Sequence, residues 1–124
     1  MKSLRILVIE EDTFFAEMLV RFIREIDSGM PIEPCAGAFE DLFAWRPDVL
    51  LLAMDNYGLK TVSRISQARG IVPQAFIIAM GKIDDAAYRE LAVANGANDF
   101  INKRDIPNTL FPIIDQHLNR NISL

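Results

Sequence analysis

Ile6-Leu7-Val8-Ile9-Glu10-Glu11-Asp12 (ILVIEED) is an apolar run that ends abruptly in three acids. A second apolar run, Val49-Leu50-Leu51-Leu52, ends in Ala53. Both have the length of a strand, and their unbroken apolar character is typical of parallel strands covered on both faces. The two runs therefore predict buried strands of a parallel sheet. An acid is the residue that this layout leads us to expect at position 53, where the chain has alanine.

Strand-like runs of this kind alternate with helix-like stretches along the chain. The predicted strands are Leu4–Ile9, Ile32–Ala36, Val49–Met54, Ala75–Met80 and Asp99–Ile101. The first predicted helix carries the apolar residues from Phe15 to Ile26. Three more cover about 39–45, 59–68 and 84–94, and a fifth carries Leu110, Ile113, Ile114, His117 and Leu118 on one face. Because proline lacks a backbone N–H, Pro107 and Pro112 predict a late start or a kink in that last helix.

The first helix has the clearest period. Asp12 or Thr13 can cap its start, and Gly29 followed by Pro31 ends it. Its apolar residues recur at helical spacing and predict one buried stripe. That stripe consists of Phe15, Met18, Leu19, Phe22, Ile23 and Ile26.

Five strands that alternate with five helices predict an α/β fold with helices on both faces of a parallel sheet. We expect a single-domain flavodoxin-like (βα)5 sandwich with strand order 2-1-3-4-5. Strands one and three are then neighbours, and Glu10, Glu11, Asp12 and Ala53 share the crevice at their carboxyl ends.

Composition limits the classes of function. The chain has 124 residues, 51% of them hydrophobic and 24% charged, with a net charge of -4. These values fit one globular domain and give no basic footprint for nucleic acid. The single cysteine, Cys35, excludes an internal disulfide and is expected to be a buried packing thiol. No signal peptide or membrane span is predicted, and we expect a cytoplasmic protein.

Three stretches carry a family resemblance over essentially the whole chain. RILVIEED (5–12), RPDVLLLAM (46–54) and ANGANDFINK (94–103) resemble segments of the receiver domain of bacterial two-component response regulators, which has the CheY-like fold. The resemblance implies that an aspartate after strand three accepts a phosphoryl group from a histidine kinase. It also implies acids that hold Mg²⁺, a lysine that contacts the phosphoryl group, and a Thr or Ser that couples it to an aromatic on strand five.

The positions that match this pattern depart from it at the phosphorylation chemistry. Ala53 falls on the acceptor and cannot be phosphorylated. Gly81 falls near the Thr/Ser position, with Ala79 or Met80 as alternatives if the register slips, and none of the three has a hydroxyl. Glu10 and Glu11 fall on the acidic pair, where a Glu in the second position is longer than the usual Asp. We therefore expect Mg²⁺ binding to be weak or absent, and no other cofactor.

The remaining matched positions predict the rest of the site. Phe100 falls on the aromatic position and Lys103 on the lysine, and Arg104 replaces the proline that often follows. We expect Lys103 to pair with Glu10, Glu11 or Asp12, and Phe100 to be a static aromatic. A second hypothesis keeps the phosphoryl chemistry and moves it to Asp55, because a shift of two residues preserves strand parity.

These features favour a non-phosphorylatable pseudo-receiver, not an enzyme, in bacterial signal transduction. It would act by binding a protein partner, such as a histidine kinase, an effector domain or another signalling protein, or by forming a homodimer. The expected contact surface is helix four, strand five and helix five, about 84–118, with Tyr88, Phe100, Arg104 and Asp105 as candidates. We expect no direct contact with nucleic acid or membrane.

A third hypothesis is a flavodoxin-like ligand-binding protein or enzyme. It is disfavoured because the loop after strand one has acids where a phosphate-binding loop needs Gly, Ser or Thr. Residues 1–124 are expected to form one receiver-like domain, either a single-domain regulator or the N-terminal fragment of a longer one.

Overall fold

The computed structural model describes residues 5–26, 32–35, 40–54, 59–82 and 86–122. The strands are β1 Ile6–Ile9, β2 Ile32–Cys35, β3 Val49–Ala53, β4 Phe76–Gly81 and β5 Asp99–Asn102. The helices are α1 Thr13–Ile26, α2 Glu40–Trp45, α3 Leu59–Ile71, α4 Ala86–Ala94 and α5 Ile106–Ile122, with a 3-10 turn Lys103–Asp105 before α5.

The strands form one sheet in the order β2-β1-β3-β4-β5, and all the pairings are parallel. In the register between β1 and β3, Ile6 lies opposite Val49 and Ile9 lies opposite Leu52. The α/β class with a parallel sheet, predicted from the alternation of elements, is confirmed.

The central strands are buried on both faces, which explains their unbroken apolar sequence. Ile6, Val8 and Leu51 point to one side and pack in a core with α1 and α5. Leu7 and Leu50 point to the other side and pack with buried residues of α2, α3 and α4.

Two helix boundaries differ from the prediction. α3 continues through Gly70 to Ile71, where the break was expected after Ala68. α5 begins at Ile106 without a late start, because Pro107 sits in the first turn, where a backbone N–H has no partner within the helix. The same helix runs through Pro112. α4 begins at Ala86, and the predicted start at Asp84 lies outside the described residues.

The predicted buried stripe of α1 is partly wrong. The buried residues of this helix are Ala16, Leu19, Val20 and Ile23. Met18 is 53% exposed and Ile26 is 56% exposed. The small residue Ala16 and the β-branched Val20 let the helix lie close to the sheet, so the buried face is centred away from Met18.

Cys35 lies in β2, opposite Ile9 of β1. Its side chain is outside the described part of the molecule, so its burial stays a prediction. Among the helices of the described ranges, none combines the length and the apolar character that crossing a membrane requires.

Candidate functional site

The carboxyl ends of β1, β3, β4 and β5 meet at one edge of the sheet. Ala53 is opposite Met80 of β4, and Gly81 is opposite Asn102 of β5. Glu10 follows β1 directly and Lys103 follows β5 directly. The topology therefore brings together an acid, a lysine and two residues without functional side chains.

Glu10 and Lys103 form a buried ion pair in this crevice. Lys103 Nζ donates a hydrogen bond to Glu10 Oε1, and the two side chains are only 7% and 4% exposed, respectively. The ammonium also lies 4.4 Å from the centroid of the Phe15 ring, within the range of a cation–π contact. Because a charge buried without a partner is costly, each member of the pair holds the other in place.

Ala53 is part of the hydrophobic core and not of an open pocket. It is 4% exposed and belongs to the apolar cluster that includes Met80, Ile101 and Ile106. The backbone of Met54 donates to Met80 O at 2.7 Å and extends the pairing with β4 by one residue. The acceptor position of the resemblance thus carries a buried methyl group.

The other two acids of the first motif lie at the surface. Glu11 and Asp12 are exposed. Asp12 Oδ1 accepts a hydrogen bond from the backbone N–H of Phe15 at 3.1 Å, so Asp12 caps α1. Of the three predicted partners of Lys103, the structure selects Glu10.

Gly81 and Phe100 are in close contact across β4 and β5. Phe100 is 2% exposed. A Cβ at position 81 would lie 3.1 Å from Cζ and 3.2 Å from Cε2 of the Phe100 ring. The ring therefore occupies the space that a Thr or Ser side chain would need.

Residues of α4 and β5 enclose the same ring from outside. The Tyr88 ring centroid lies 6.4 Å from that of Phe100. The Arg89 guanidinium lies 5.6 Å from the Phe100 ring centroid and 3.1 Å from Asp99 Oδ1. Sequence reasoning missed Arg89 and Asp99, because their pairing depends on how α4 packs against β5 and leaves no periodic signal.

The remaining predicted site residues lie at the surface or outside the described residues. Arg104 and Asp105 are exposed in the 3-10 turn, whose start is capped by Asn102 Oδ1 accepting from Arg104 N at 2.9 Å. Asp55 lies outside the described residues.

The donors in this crevice do not fit the Mg²⁺ site that the resemblance implies. Glu10 is engaged by the Lys103 ammonium, Ala53 offers no side-chain oxygen, and Asp12 is used as a helix cap. Within the described ranges, no three His, Cys, Asp or Glu side chains come together in a group that could hold a metal ion. Mg²⁺ would need several oxygen ligands at short distance, and would have to compete with a buried cation.

Comparisons with known proteins identify the fold. Neither a family model nor a curated protein matches the chain. A two-component response regulator from Clostridium difficile is similar in structure, with a TM-score of 0.83, 21% identity, and coverage of 98% of this chain and 100% of that one.

Two further solved structures show the same likeness. The signal receiver domain of a DNA-binding response regulator (merR) from Colwellia psychrerythraea 34H has a TM-score of 0.77 and 23% identity, with 98% of this chain and 100% of that chain covered. The chemotaxis protein CheY4 of Vibrio cholerae has a TM-score of 0.79 and 16% identity, with 93% and 98% covered. The chain thus has the CheY-like fold of response regulator receiver domains.

Proposed function

We propose that the chain is a receiver-like signalling domain that works without phosphorylation at position 53 and acts through protein–protein contacts. The observation that carries this proposal is the state of the crevice. A methyl group stands at the acceptor position, and the lysine that would meet a phosphoryl group is buried against Glu10. The fold neighbours are receiver domains of response regulators, which supports a role in two-component signalling.

In the crevice, the carboxylate of Glu10 occupies the side of Lys103 where a phosphoryl group would be expected to bind. A phosphoryl group needs positive charge beside it, and a free lysine would supply that charge. Here the carboxylate of Glu10 accepts a hydrogen bond from the ammonium of Lys103, and both side chains are buried. An incoming anion would have to displace this buried carboxylate.

The aromatic position is likewise held in one arrangement. Phe100 is packed inward over Gly81, with Tyr88 and Arg89 against it. Since residue 81 is glycine, it offers no hydroxyl that could draw the Phe100 ring inward or release it when a ligand binds. The domain would therefore present one constant conformation of α4 and β5 to a partner.

α4 offers the partner surface. Of its nine residues only Ala92 is buried, while Leu91 is 42% exposed and Val93 is 49% exposed. Val93, four residues after Arg89, lies on the same flank of α4 as the charged pair Arg89–Asp99, and the three residues form a mixed patch of the kind that proteins use for recognition. Leu91 lies on the other flank, with Asn95, towards α3. We call Tyr88, Arg89, Val93, Asp99 and Arg104 the α4–β5 face.

The phosphorylation part of this proposal is tested by treating the intact protein with acetyl phosphate and Mg²⁺ and measuring its mass. We expect no phosphoryl adduct in the wild-type protein. A phosphoryl adduct that forms on the wild-type protein and is missing from Asp55→Asn would contradict the proposal and support the displaced acceptor.

The partner part is tested with the α4–β5 face. A signalling partner captured by the wild-type protein should be lost with Val93→Glu and with Arg104→Glu. Gln67→Glu, an exposed change on α3, is the matched control and should retain it. Equal capture by all four proteins would show that the α4–β5 face is not the contact.

A further inference from the structure

The only Asn-Gly pair of the chain, Asn95-Gly96, lies where α4 ends. In such a pair the backbone nitrogen of the second residue can attack the side-chain carbon Cγ of the first, because glycine has no side chain to hinder the approach. A bond forms between this nitrogen and Cγ, the bond between Cγ and Nδ2 breaks, and ammonia leaves. Water then opens the cyclic imide, so that aspartate or isoaspartate replaces the asparagine.

The fold requires glycine at position 96 for two reasons. Its φ is +118, a conformation that residues with a side chain rarely adopt. A Cβ at this position would also lie 3.0 Å from Cβ of Arg69, closer than most contacts of this kind. The reactive pair therefore results from the way in which α3 packs against the turn after α4.

The backbone of Gly96 is held on both sides. Its N–H donates to Val93 O at 3.1 Å, and the N–H of Ala97 donates to Ala92 O at 3.1 Å. These two bonds form a Schellman motif, a common way for a helix to end. The carbonyl of Gly96 accepts from Arg69 Nε at 2.9 Å. Because the Gly96 N–H must lose its proton before the nitrogen attacks, its hydrogen bond opposes the reaction.

The side chain of Asn95 is held as well. Its Nδ2 donates to Leu91 O, one turn earlier in α4, at 2.9 Å. Ser66 Oγ of α3 lies 3.4 Å from Asn95 Oδ1 and 3.4 Å from Asn95 O, and can donate to either oxygen. Ring closure would move this side chain and the peptide that follows it, so these contacts also oppose the reaction.

We propose that Asn95 is a deamidation site that the folded protein protects, and that it reacts when the turn after α4 opens. Groups that the fold holds in place react through local opening, whose free energy varies from one segment to another. Here the opening must break the hydrogen bonds from Arg69 to Gly96 O and from Asn95 to Leu91 O. The rate of deamidation therefore measures how often this end of α4 separates from α3.

The product would alter the end of α4. An aspartate in place of Asn95 lacks the Nδ2 donor and places a carboxylate oxygen against Leu91 O, where both atoms are acceptors. Its negative charge also lies at the C-terminus of the helix, where the helix dipole disfavours an anion. The deamidated chain should thus hold α4 less firmly against α3. The α4–β5 face lies on the same helix, but the reaction at Asn95 does not depend on its having a partner.

The test follows the whole chain at physiological temperature and neutral pH, folded in buffer and unfolded in guanidinium chloride. After digestion with trypsin, mass spectrometry measures the aspartate and isoaspartate forms of the peptide Glu90–Lys103, and fragmentation separates Asn95 from Asn98 and Asn102. We expect Asn95 to react in the unfolded chain, and to react at least about tenfold more slowly in the folded chain, because only the opened fraction is reactive.

Two variants locate the protection. Arg69→Met removes the charged donor to Gly96 O and should raise the folded rate at least about tenfold. Ser66→Ala removes only an exposed hydroxyl from α3, and should raise the rate by about two- to threefold without a loss of fold. Arg21→Met, which removes an exposed arginine from α1, is the control and should leave the rate unchanged. Circular dichroism checks the fold of each variant.

Three results would overturn the proposal. The first is a folded chain in which Asn95 reacts as fast as in the unfolded chain. The second is an unfolded chain in which Asn98 or Asn102 reacts and Asn95 does not. The third is an equal rate in the folded wild-type, Arg69→Met and Ser66→Ala proteins, since the named contacts would then give no protection.

Discussion

At the scale of single residues, the crevice contains a buried ion pair between Glu10 and Lys103 in place of an open phosphorylation site. Lys103 is satisfied by Glu10 and by the face of the Phe15 ring. Both side chains of the pair are buried, at 7% and 4% exposure. The ion pair thus stabilises the edge of the sheet, and removing one of its members should lower the free energy of unfolding.

The buried pair gives the first prediction. Lys103→Met leaves the Glu10 carboxylate buried without a partner and should lower the free energy of unfolding by about 3–5 kcal/mol. Urea unfolding of the single variants and of the double variant Glu10→Met/Lys103→Met measures it. Because two apolar side chains of similar size leave no buried charge, the double variant should recover most of the loss. A double variant as unstable as Lys103→Met would show that packing, and not charge, is responsible.

The contact between Gly81 and Phe100 gives the second prediction. Gly81→Ala should lower the free energy of unfolding by about 1–3 kcal/mol, because the new methyl group overpacks against a ring that is closed in by its neighbours. The NMR chemical shifts of the Phe100 ring protons should differ between the wild-type protein and Gly81→Ala.

Gly70→Ala is the matched control for this change. A Cβ at position 70 would meet nothing within 4 Å, and the residue lies inside α3. Because Gly70 is the last residue but one of the helix, the substitution should leave the free energy of unfolding unchanged or raise it by less than the roughly 0.5–1 kcal/mol that separates the two residues inside a helix. A Gly81→Ala protein as stable as Gly70→Ala, with an unmoved Phe100 ring, would contradict the fixed position of the aromatic.

At the scale of elements, one arginine joins the ends of α3, β4 and the turn after α4. Arg69 Nε donates to Gly96 O at 2.9 Å, Nη1 donates to Ala75 O at 2.7 Å, and Nη2 donates to Asn98 Oδ1 at 2.6 Å. Gly96 has a φ of +118, a conformation that glycine adopts without strain, and its carbonyl is thereby aimed at Arg69. Partial burial lowers the pKa of Arg69. A guanidinium nevertheless keeps its charge in proteins.

This arginine gives the third prediction. Arg69→Met should lower the free energy of unfolding by about 1.5–3 kcal/mol, because several carbonyl oxygens lose a charged donor at once. Arg89→Met is the control: that guanidinium is half exposed and its pair with Asp99 is a surface ion pair, worth about 0–1 kcal/mol. Equal losses in the two variants would show that Arg69 does not join the elements as described.

At the scale of the whole molecule, the sequence predicts secondary structure best in segments whose residues are all buried. The central strands can be recognised in the sequence because both of their faces are buried, so every residue in them is apolar or small. The first helix is harder, because Met18 and Ile26 fit the apolar period equally well whether a core or a second protein covers them. The missing acceptor is visible at Ala53, but the choice of Glu10 as the partner of Lys103 depends on packing that no local pattern records.

The central claim is that the domain keeps the receiver fold while the crevice no longer responds to a phosphoryl group. The most direct measurement is a two-dimensional amide NMR spectrum of the intact chain, recorded alone, with Mg²⁺, and then with beryllofluoride as a phosphoryl mimic. We predict that the signals of Glu10, Lys103 and Phe100 stay where they are in all three spectra. Shifts that begin in the crevice and spread to Phe100 and α4 would show that a phosphoryl switch survives, and would contradict the claim.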